Sequence, residues 1–320
     1  MIIFNNISMT VANNFHFIKK PGLILPLFLI ASLFFNSGCE RKSDLLESSQ
    51  NNDFVLKVPE EIDGFVRPES AYTMIDGSII ISEIGEYNSN GKDGDGKIIK
   101  INPDGTRVII AKSGLNDPKG ILVEGNTIYV TDNQEVKKVS FNGEVSIWLK
   151  KSDFPIEPQF LNDITIDRNT IIYISDSGDK KKSGLIYRVN SAGKVSILVD
   201  KLNSPLILAP NGLSTFQRGF LFVTDFSSGD LLRIRLRNLE VERLAGGFGG
   251  GDGLVFSGTN LFISDWKGGK LWSLDVTSPG NKPVLIKDNL SNPADIDVTS
   301  DGKYIVVPEM KTGKIKFLPL

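Results

Sequence analysis

One short segment recurs six times along the chain and limits what the chain can fold into. Each copy is a run of β-branched and aromatic residues that ends in an acidic residue. The copies are IIISE, IYVTD, IYISD, LFVTD, LFISD and IVVPE, which end at Glu83, Asp132, Asp176, Asp225, Asp265 and Glu309. Successive endings are 49, 44, 49, 40 and 44 residues apart. A period of ~40–50 residues built from short strands and turns is typical of a β-propeller with one blade per repeat.

The strand count of each repeat predicts how the ring closes. Five repeats contain four predicted strands, separated by turns such as Asn142 and Gly143, and the sixth contains three. A strand predicted at 54–58 has no repeat ahead of it. The sequence therefore predicts an all-β fold over residues 53–320, a six-bladed β-propeller in which this N-terminal strand completes the last blade. Closure of this kind removes exposed sheet edges.

Residues 1–38 have the pattern of an export signal. Lys19 and Lys20 precede an apolar stretch at 23–35, and Asn36-Ser37-Gly38 separates that stretch from Cys39, the only cysteine of the chain. The stretch is shorter than the ~20 residues that span a bilayer. The position of Cys39 resembles a bacterial lipobox, in which the cysteine becomes the lipidated first residue. An ordinary secretory signal with a coincidental cysteine is the alternative.

These features predict an exported bacterial lipoprotein anchored in a membrane, periplasmic or at the cell surface. Contact with the membrane would be made only through a lipid on Cys39. Residues 39–52 are polar and rich in Ser and Asn, which is typical of a flexible tether.

Composition excludes several classes of function. The formal net charge is −2, with 36 basic and 38 acidic residues, so we expect no nucleic-acid partner. The single histidine, His16, lies in the predicted signal. The predicted domain therefore lacks a Ser-His-Asp triad, a Cys-His pair and histidine-bound zinc. Acid–base catalysis there must use a carboxylate, Lys, Tyr or a metal-bound water.

The repeats also predict which residues face the central channel. The first strand of each propeller blade lines the channel, and aligning the repeats on their opening turns selects one residue in each. These residues are Glu69, Lys119, Asn162, Asn211, Asp252 and Ala294. Two carboxylates and two amides around one axis form an oxygen-rich cage of the kind that hard divalent cations prefer.

The acidic residues that end the repeated strands are candidates for a different role. An acid at the same place in every repeat usually accepts hydrogen bonds from the backbone of a turn. We therefore interpret Asp132, Asp176, Asp225 and Asp265 as structural and not as catalytic.

The opening turns resemble those of a known family, the senescence-marker-protein, gluconolactonase and luciferin-regenerating-enzyme group of regucalcin-like six-bladed propellers. The resemblance covers roughly residues 60–320. It is carried by four motifs, Pro68-Glu69, Leu161-Asn162-Asp163, Pro210-Asn211-Gly212-Leu213 and Asp252-Gly253-Leu254. It implies that Glu69, Asn162, Asn211 and Asp252 bind one divalent cation. Ca²⁺ is the expected ion, with Mg²⁺, Mn²⁺ and Zn²⁺ as alternatives. It further implies that Asp252 is the general base of lactone hydrolysis.

The chain departs from this family at two positions of the predicted channel. Phe160 stands where the sugar-specific members carry an arginine that contacts the sugar lactone. Lys119 places a cation beside the predicted metal site. We therefore expect gluconolactone to be a poor substrate, and Phe160 favours a more apolar ligand.

Two hypotheses of function follow. The first is a metal-dependent hydrolase of a small-molecule lactone or related ester, favoured by the oxygen cage. The second is a non-enzymatic propeller with NHL-like repeats that binds a protein or glycan partner, favoured by Lys119 and the missing arginine. A strictosidine-synthase-like propeller is a third option on the same scaffold, because a fold does not by itself decide a function.

Overall fold

The structure is a computed structural model of the chain. It describes residues 58–86, 92–179, 183–215, 219–278 and 280–320. The predicted signal at 1–38, the predicted tether at 39–52, Cys39 and most of the predicted strand at 54–58 lie outside these residues.

The described residues form 24 strands in six four-stranded antiparallel sheets, which confirms the predicted all-β propeller with six blades. The closing strand is β1 (Glu61–Ile62). Blade one contains β2 (Pro68–Thr73), β3 (Ile79–Glu83), β4 (Lys97–Ile101) and β5 (Arg107–Ala111). Blade two contains β6 (Pro118–Glu124), β7 (Thr127–Asp132), β8 (Glu135–Ser140) and β9 (Val145–Leu149). Blade three contains β10 (Leu161–Ile166), β11 (Ile172–Asp176), β12 (Leu185–Val189) and β13 (Val195–Asp200).

The second half of the ring repeats this arrangement. Blade four contains β14 (Pro210–Ser214), β15 (Phe220–Asp225), β16 (Asp230–Arg235) and β17 (Glu240–Gly246). Blade five contains β18 (Gly251–Ser257), β19 (Asn260–Asp265), β20 (Lys270–Asp275) and β21 (Val284–Lys287). Blade six contains β22 (Asp297–Val298), β23 (Tyr304–Glu309) and β24 (Lys314–Pro319). A 3₁₀ turn at Lys151–Asp153 is the one helical element of the described chain. The described residues therefore contain no helix long and apolar enough to cross a membrane.

The ring closes between the two ends of the described chain, as predicted. β1 pairs antiparallel with β24, with Ile62 opposite Ile315 and Glu61 opposite Lys316. The described closing strand begins three residues after the predicted segment 54–58. Pro59 stands between them, and a proline has no N–H for a sheet ladder. Blade six therefore reaches four strands, with β1 paired to the outer side of β24.

The hydrophobic core lies between neighbouring blades. Ile80 and Ile98 of blade one, for example, pack in one cluster with Ile128 and Val130 of blade two. Ile80, Ile128 and Val130 come from the β-branched runs that define the repeats, Ile98 comes from β4, and all four are fully buried. The runs are apolar because propeller sheets are covered on both faces by their neighbours.

The first strand of blades one to five has a β-bulge at the predicted channel residue. The pairing with the second strand shifts at Pro68/Ser70, Pro118/Ile121, Leu161/Ile164, Pro210/Leu213 and Gly251/Leu254. A bulge leaves one residue outside the ladder and redirects its side chain. The bulges therefore turn the channel residues toward the axis.

The Ser or Thr before each strand-ending acid of blades one to five holds a bulge in place. Thr224 Oγ1 accepts a hydrogen bond from Gly212 N at 3.0 Å and donates one to Asp252 O at 2.8 Å. Ser264 makes the same two bonds, to Gly253 N and to Ala294 O, each at 2.7 Å. A Cβ on Gly212 would lie 1.9 Å from Asp252 O, so only glycine fits at that position. The hydroxyls thus link the channel residue of one blade to the next blade.

The strand-ending acids are structural, as interpreted from the sequence. Asp225 accepts hydrogen bonds from the backbone N–H groups of Leu208 at 2.8 Å and Ala209 at 2.7 Å, and also from Ser227 and Ser228. Backbone N–H groups bond in the same way to Glu83, Asp132, Asp176, Asp265 and Glu309. Each acid ties the turn that opens its own blade to the end of the second strand.

Candidate functional site

A cavity of about 380 Å³ lies where the innermost strands meet. Six residues singled out from the sequence line it: Glu69, Lys119, Phe160, Asn162, Asn211 and Asp252. The structure therefore brings together the predicted metal ligands, the predicted base and both predicted substrate-channel residues. Ala294 is buried in the corresponding place of blade six, but it does not line the cavity.

Two carboxylates in this cavity have oxygens that lack a partner. Glu69 is 3% exposed and Asp252 is 5% exposed. Within the described chain, neither Glu69 Oε2 nor Asp252 Oδ1 has a hydrogen-bond partner. Burial of a charged oxygen without a partner costs several kcal/mol, and such groups are normally neutralised or bound to a cation. These two oxygens therefore need a proton or a bound cation as a partner.

The electrostatics of the two carboxylates agree with this requirement. Burial raises the pKa of Glu69 well above its usual range, and the neighbouring charge of Asp252 raises it further. Burial likewise raises the pKa of Asp252, with the charge of Asp295 as the second cause. The positive charge of Lys119 acts in the opposite direction on both. A divalent cation would favour the ionised forms, as any opposite charge nearby does.

The two asparagines direct their amide nitrogens toward protein partners. Asn162 Nδ2 donates to Ser177 Oγ at 3.3 Å, and Ser177 Oγ donates to Pro210 O at 2.9 Å. Asn211 hydrogen-bonds to the carboxylate of Asp252 and so lowers the pKa of that group. An amide that donates through its nitrogen leaves its carbonyl oxygen available as an acceptor or a ligand. Ser177, which the sequence argument did not single out, is therefore a positioning residue for Asn162.

Lys119 is a buried cation at the blade-two position of the cavity. It is 4% exposed, and its Nζ donates to Asp117 O at 3.1 Å. The same Nζ lies 4.5 Å from the centroid of the Phe160 ring, a cation–π distance. Burial lowers the pKa of Lys119, whereas the charge of Glu69 raises it. Lys119 thus supplies part of the positive charge that the two carboxylates need.

A second layer of acids lies one residue beyond the cavity-lining positions. Asp163 accepts hydrogen bonds from Ile164 N and Leu213 N, both at 2.6 Å, and burial raises its pKa to about 7. Asp295 accepts one from Ser70 Oγ at 2.6 Å. Burial raises the pKa of Asp295 well above its usual range, with the charge of Asp163 as the second cause. These acids join neighbouring blades and add negative charge close to the cage.

Sequence reasoning missed this layer, although the repeats contain the signal. The residue after each channel residue is Ser70, Gly120, Asp163, Gly212, Gly253 or Asp295. Two acids stand out at a place that is otherwise occupied by small residues. The mouth of the cavity was missed in the same way. Its wall includes the residues that directly follow five of the strand-ending acids, Ile84, Ser177, Phe226, Trp266 and Met310.

The donor set fits a hard divalent cation, even though it is not a cluster of acids alone. No group of three or more His, Cys, Asp or Glu side chains in the described ranges is placed to hold a metal ion. The cage combines two carboxylates with two amides, and carboxylate and amide oxygens are the ligands that Ca²⁺ takes in proteins. The two unpartnered oxygens are the observation that carries the fit, and the charge of Lys119 would weaken the binding.

Fold and site together define a class, a six-bladed β-propeller with a buried polar cavity on its axis. No protein-family model matches the sequence, and no curated protein matches it. Among solved structures, a protein assigned as a gluconolactonase superposes with a TM-score of 0.62 and 16% sequence identity. The match covers 82% of this chain and 94% of that chain. A likeness at this identity supports the propeller fold that the motifs implied, and the activity has to be argued from the site.

Proposed function

We propose that this protein is a metal-dependent hydrolase that opens a lactone or cleaves a related ester in its axial cavity. The observation that carries the proposal is the pair of unpartnered, buried oxygens on Glu69 and Asp252. They face a cavity that Asn162 and Asn211 also line, large enough for a small molecule. A purely structural channel would be expected to pair these oxygens with donors, as the strand-ending acids are paired.

In the proposed mechanism, Glu69, Asn162, Asn211 and Asp252 would hold the cation, with Ca²⁺ as the expected ion, and a bound ion would supply polarisation of the substrate carbonyl. Asp252 takes the proton of the attacking water, whose oxygen forms a new bond to the carbonyl carbon. The bond from that carbon to the ester oxygen then breaks, and Asp252 returns the proton to the leaving alkoxide. Asp252 would act in its ionised form, which a bound cation favours, whereas burial raises the pKa of this group in the metal-free protein.

The test is calorimetric titration of the purified full-length protein with Ca²⁺, Mg²⁺ and Mn²⁺, followed by a lactone-hydrolysis assay. The wild type should bind one ion per chain, and Asp252→Ala and Asn211→Ala should each lose both the ion and turnover. Asp117→Asn is the matched control, because Asp117 lines the same cavity outside the four ligands. It should retain the ion. Normal turnover in Asp252→Ala would refute the mechanism.

The competing proposal is a non-enzymatic NHL-like platform that binds a protein or glycan partner. The observation in its favour is Lys119, which already places a positive charge beside the carboxylates. If the wild type binds none of the three ions and Lys119→Met leaves that result unchanged, the platform becomes the better account of the cavity.

We also propose that the protein is exported and anchored in a membrane through a lipid on Cys39. The support is the sequence alone, in which a basic segment, an apolar stretch and three small or polar residues precede the only cysteine. Metabolic labelling with a radioactive fatty acid should mark the wild type. Cys39→Ala should lose the label and leave the membrane fraction.

A further inference from the structure

The mouth of the cavity has two chemically different halves, which follow from one position of the repeat. That position is the residue directly after each strand-ending acid. Around the ring it is occupied by Ile84, Asn133, Ser177, Phe226, Trp266 and Met310. The residues of blades one, four, five and six are apolar, and those of blades two and three are polar.

The four apolar residues form one wall of the cavity at its mouth, here called the mouth wall. It consists of Ile84, Phe226, Trp266 and Met310. The rings of Phe226 and Trp266 have centroids 6.1 Å apart and are tilted by 56°. Both aromatic residues are half-buried, so they keep part of their surface open.

The backbone holds the two aromatic residues in place. Phe226 N donates to Ala209 O at 2.9 Å, and Trp266 N donates to Gly250 O at 2.8 Å. Asn292 Nδ2 donates to Trp266 O at 3.0 Å. These bonds fix the backbone of both residues, and aromatic side chains, which have only two rotatable bonds, bind an apolar ligand at a low cost in conformational entropy.

The polar cage lies deeper in the cavity than this wall. Glu69, Asn162, Asn211 and Asp252 are buried, whereas Phe226, Trp266 and Met310 are only half-buried. Of the other polar residues that line the cavity, Asp117, Lys119 and Ser177 belong to the polar half, and Arg67 directly precedes β2 of blade one. A polyhydroxylated sugar lactone carries hydroxyl groups around its whole ring. On the apolar wall those hydroxyls would lose their hydrogen bonds to water without replacement. A substrate with one polar end and one apolar end matches the buried cage and the apolar wall.

We infer that the cavity takes a lactone or ester with a hydrophobic acyl or aryl body. Its carbonyl group lies at the cage, and its body lies against Phe226, Trp266, Met310 and Ile84. The lactone or ester part of this statement rests on the proposed function. The apolar body rests on the mouth wall and stands independently of any turnover.

The experiment compares γ-lactones of increasing alkyl chain length with gluconolactone. Hydrolysis is followed by alkali titration, and binding is followed by isothermal titration calorimetry, which reports on every variant. Trp148→Phe, on the outer strand of blade two, is the matched control and should keep the wild-type dependence. The same chain-length series of γ-lactams, which are hydrolysed far more slowly, measures binding without turnover.

The dissociation constant should fall by up to about fourfold per added CH₂, the factor expected for burial of a methylene, until the wall is covered. Gluconolactone should bind at least tenfold more weakly than the best alkyl lactone. Trp266→Ser and Met310→Ser should flatten the chain-length dependence, and either variant suffices if the other fails to fold.

The outcomes separate the two proposals. If the lactams and lactones bind with the predicted dependence and no lactone is hydrolysed, the proposed function is wrong and the apolar recognition stands. If lactones are hydrolysed with no dependence on chain length, or if gluconolactone is preferred, the apolar substrate class is wrong. Binding without change in Trp266→Ser and Met310→Ser would also overturn it.

Discussion

Buried acidic residues occur in two rings of this propeller, the outer ring of strand-ending residues and the inner ring of channel residues. The outer ring consists of the strand-ending acids, and Asp225 is typical of it. Asp225 is fully buried and accepts hydrogen bonds from Leu208, Ala209, Ser227 and Ser228. The inner acids, Glu69 and Asp252, are buried to nearly the same degree but keep one oxygen each without a partner in the described chain.

The difference shows that burial alone does not separate a structural carboxylate from a functional one. Six repeats present an acid at the outer position, and the backbone N–H groups of the blade-opening turns surround it. Only two of the six inner positions carry an acid, and the bulges turn those acids into an open space. The hydrogen bonds that a carboxylate has already made are the better guide, because an unpaired buried oxygen is costly unless a ligand completes it.

The largest expected effect is the loss of an outer acid. Asp225→Ala should lower the free energy of unfolding by about 3–5 kcal/mol, since each donor left without its acceptor costs roughly 1–3 kcal/mol. Asp252→Ala, at a similarly buried position, should cost less than about 1 kcal/mol when no metal is present, because it removes a buried carboxyl group whose Oδ1 has no hydrogen-bond partner in the described chain. Both values come from urea denaturation in the presence of a chelator. Equal losses in the two variants would contradict the comparison.

The next effect concerns pH. Burial raises the pKa of Asp163 to about 7, whereas an exposed aspartate has a pKa near 3.8. Between pH 5 and pH 7 the folded protein therefore holds a proton that the unfolded chain has lost. Under these conditions the free energy of unfolding falls as the pH rises, by about 1.4 kcal/mol per unit for one such group at most. We expect a loss of roughly 2 kcal/mol over this interval in the metal-free protein.

Two variations test the origin of this pH dependence. Asp163→Asn should flatten the curve, because the group that titrates is then absent. Saturating Ca²⁺ should flatten it in the wild type, because a bound cation favours the ionised forms of the neighbouring acids. A flat curve in the metal-free wild type would show that burial does not penalise the ionised form of Asp163.

The repeats made much of this architecture predictable. A strand-ending acid recurs at a nearly constant interval, so the number of blades and the closure of the ring could be counted from the sequence. The same alignment selected Glu69, Asn162, Asn211 and Asp252, because the bulge occurs at the same place in the first strand of blades one to five. Because the blades repeat, residues that align in the sequence occupy equivalent positions around the axis.

Other features could not be read in this way. The closing strand includes Glu61 and Ile62, beyond the predicted segment, because strand ends depend on pairing partners far away in the sequence. Asp163 and Asp295 interact across the ring, and a pairwise repulsion has no signature in either repeat alone. The mouth wall could not be predicted because the residue type after the strand-ending acid differs from repeat to repeat, as in Phe226, Trp266 and Met310.

The smallest effect concerns the two buried lysines, which belong to different rings. Lys137 Nζ pairs with the outer acid Asp132 at 2.7 Å, whereas Lys119 lowers the pKa of the inner acid Glu69 through its charge. Lys119→Met should make Ca²⁺ bind about tenfold more tightly, about 1.4 kcal/mol, because it removes a cation that competes for the same carboxylates. Lys137→Met should reduce stability and leave the calcium affinity unchanged. Calorimetry on both variants decides the matter. Weaker calcium binding in Lys119→Met would mean that the lysine holds the carboxylates in position for the ion. Lys119 would then have a structural role in the inner ring, as Lys137 has in the outer ring.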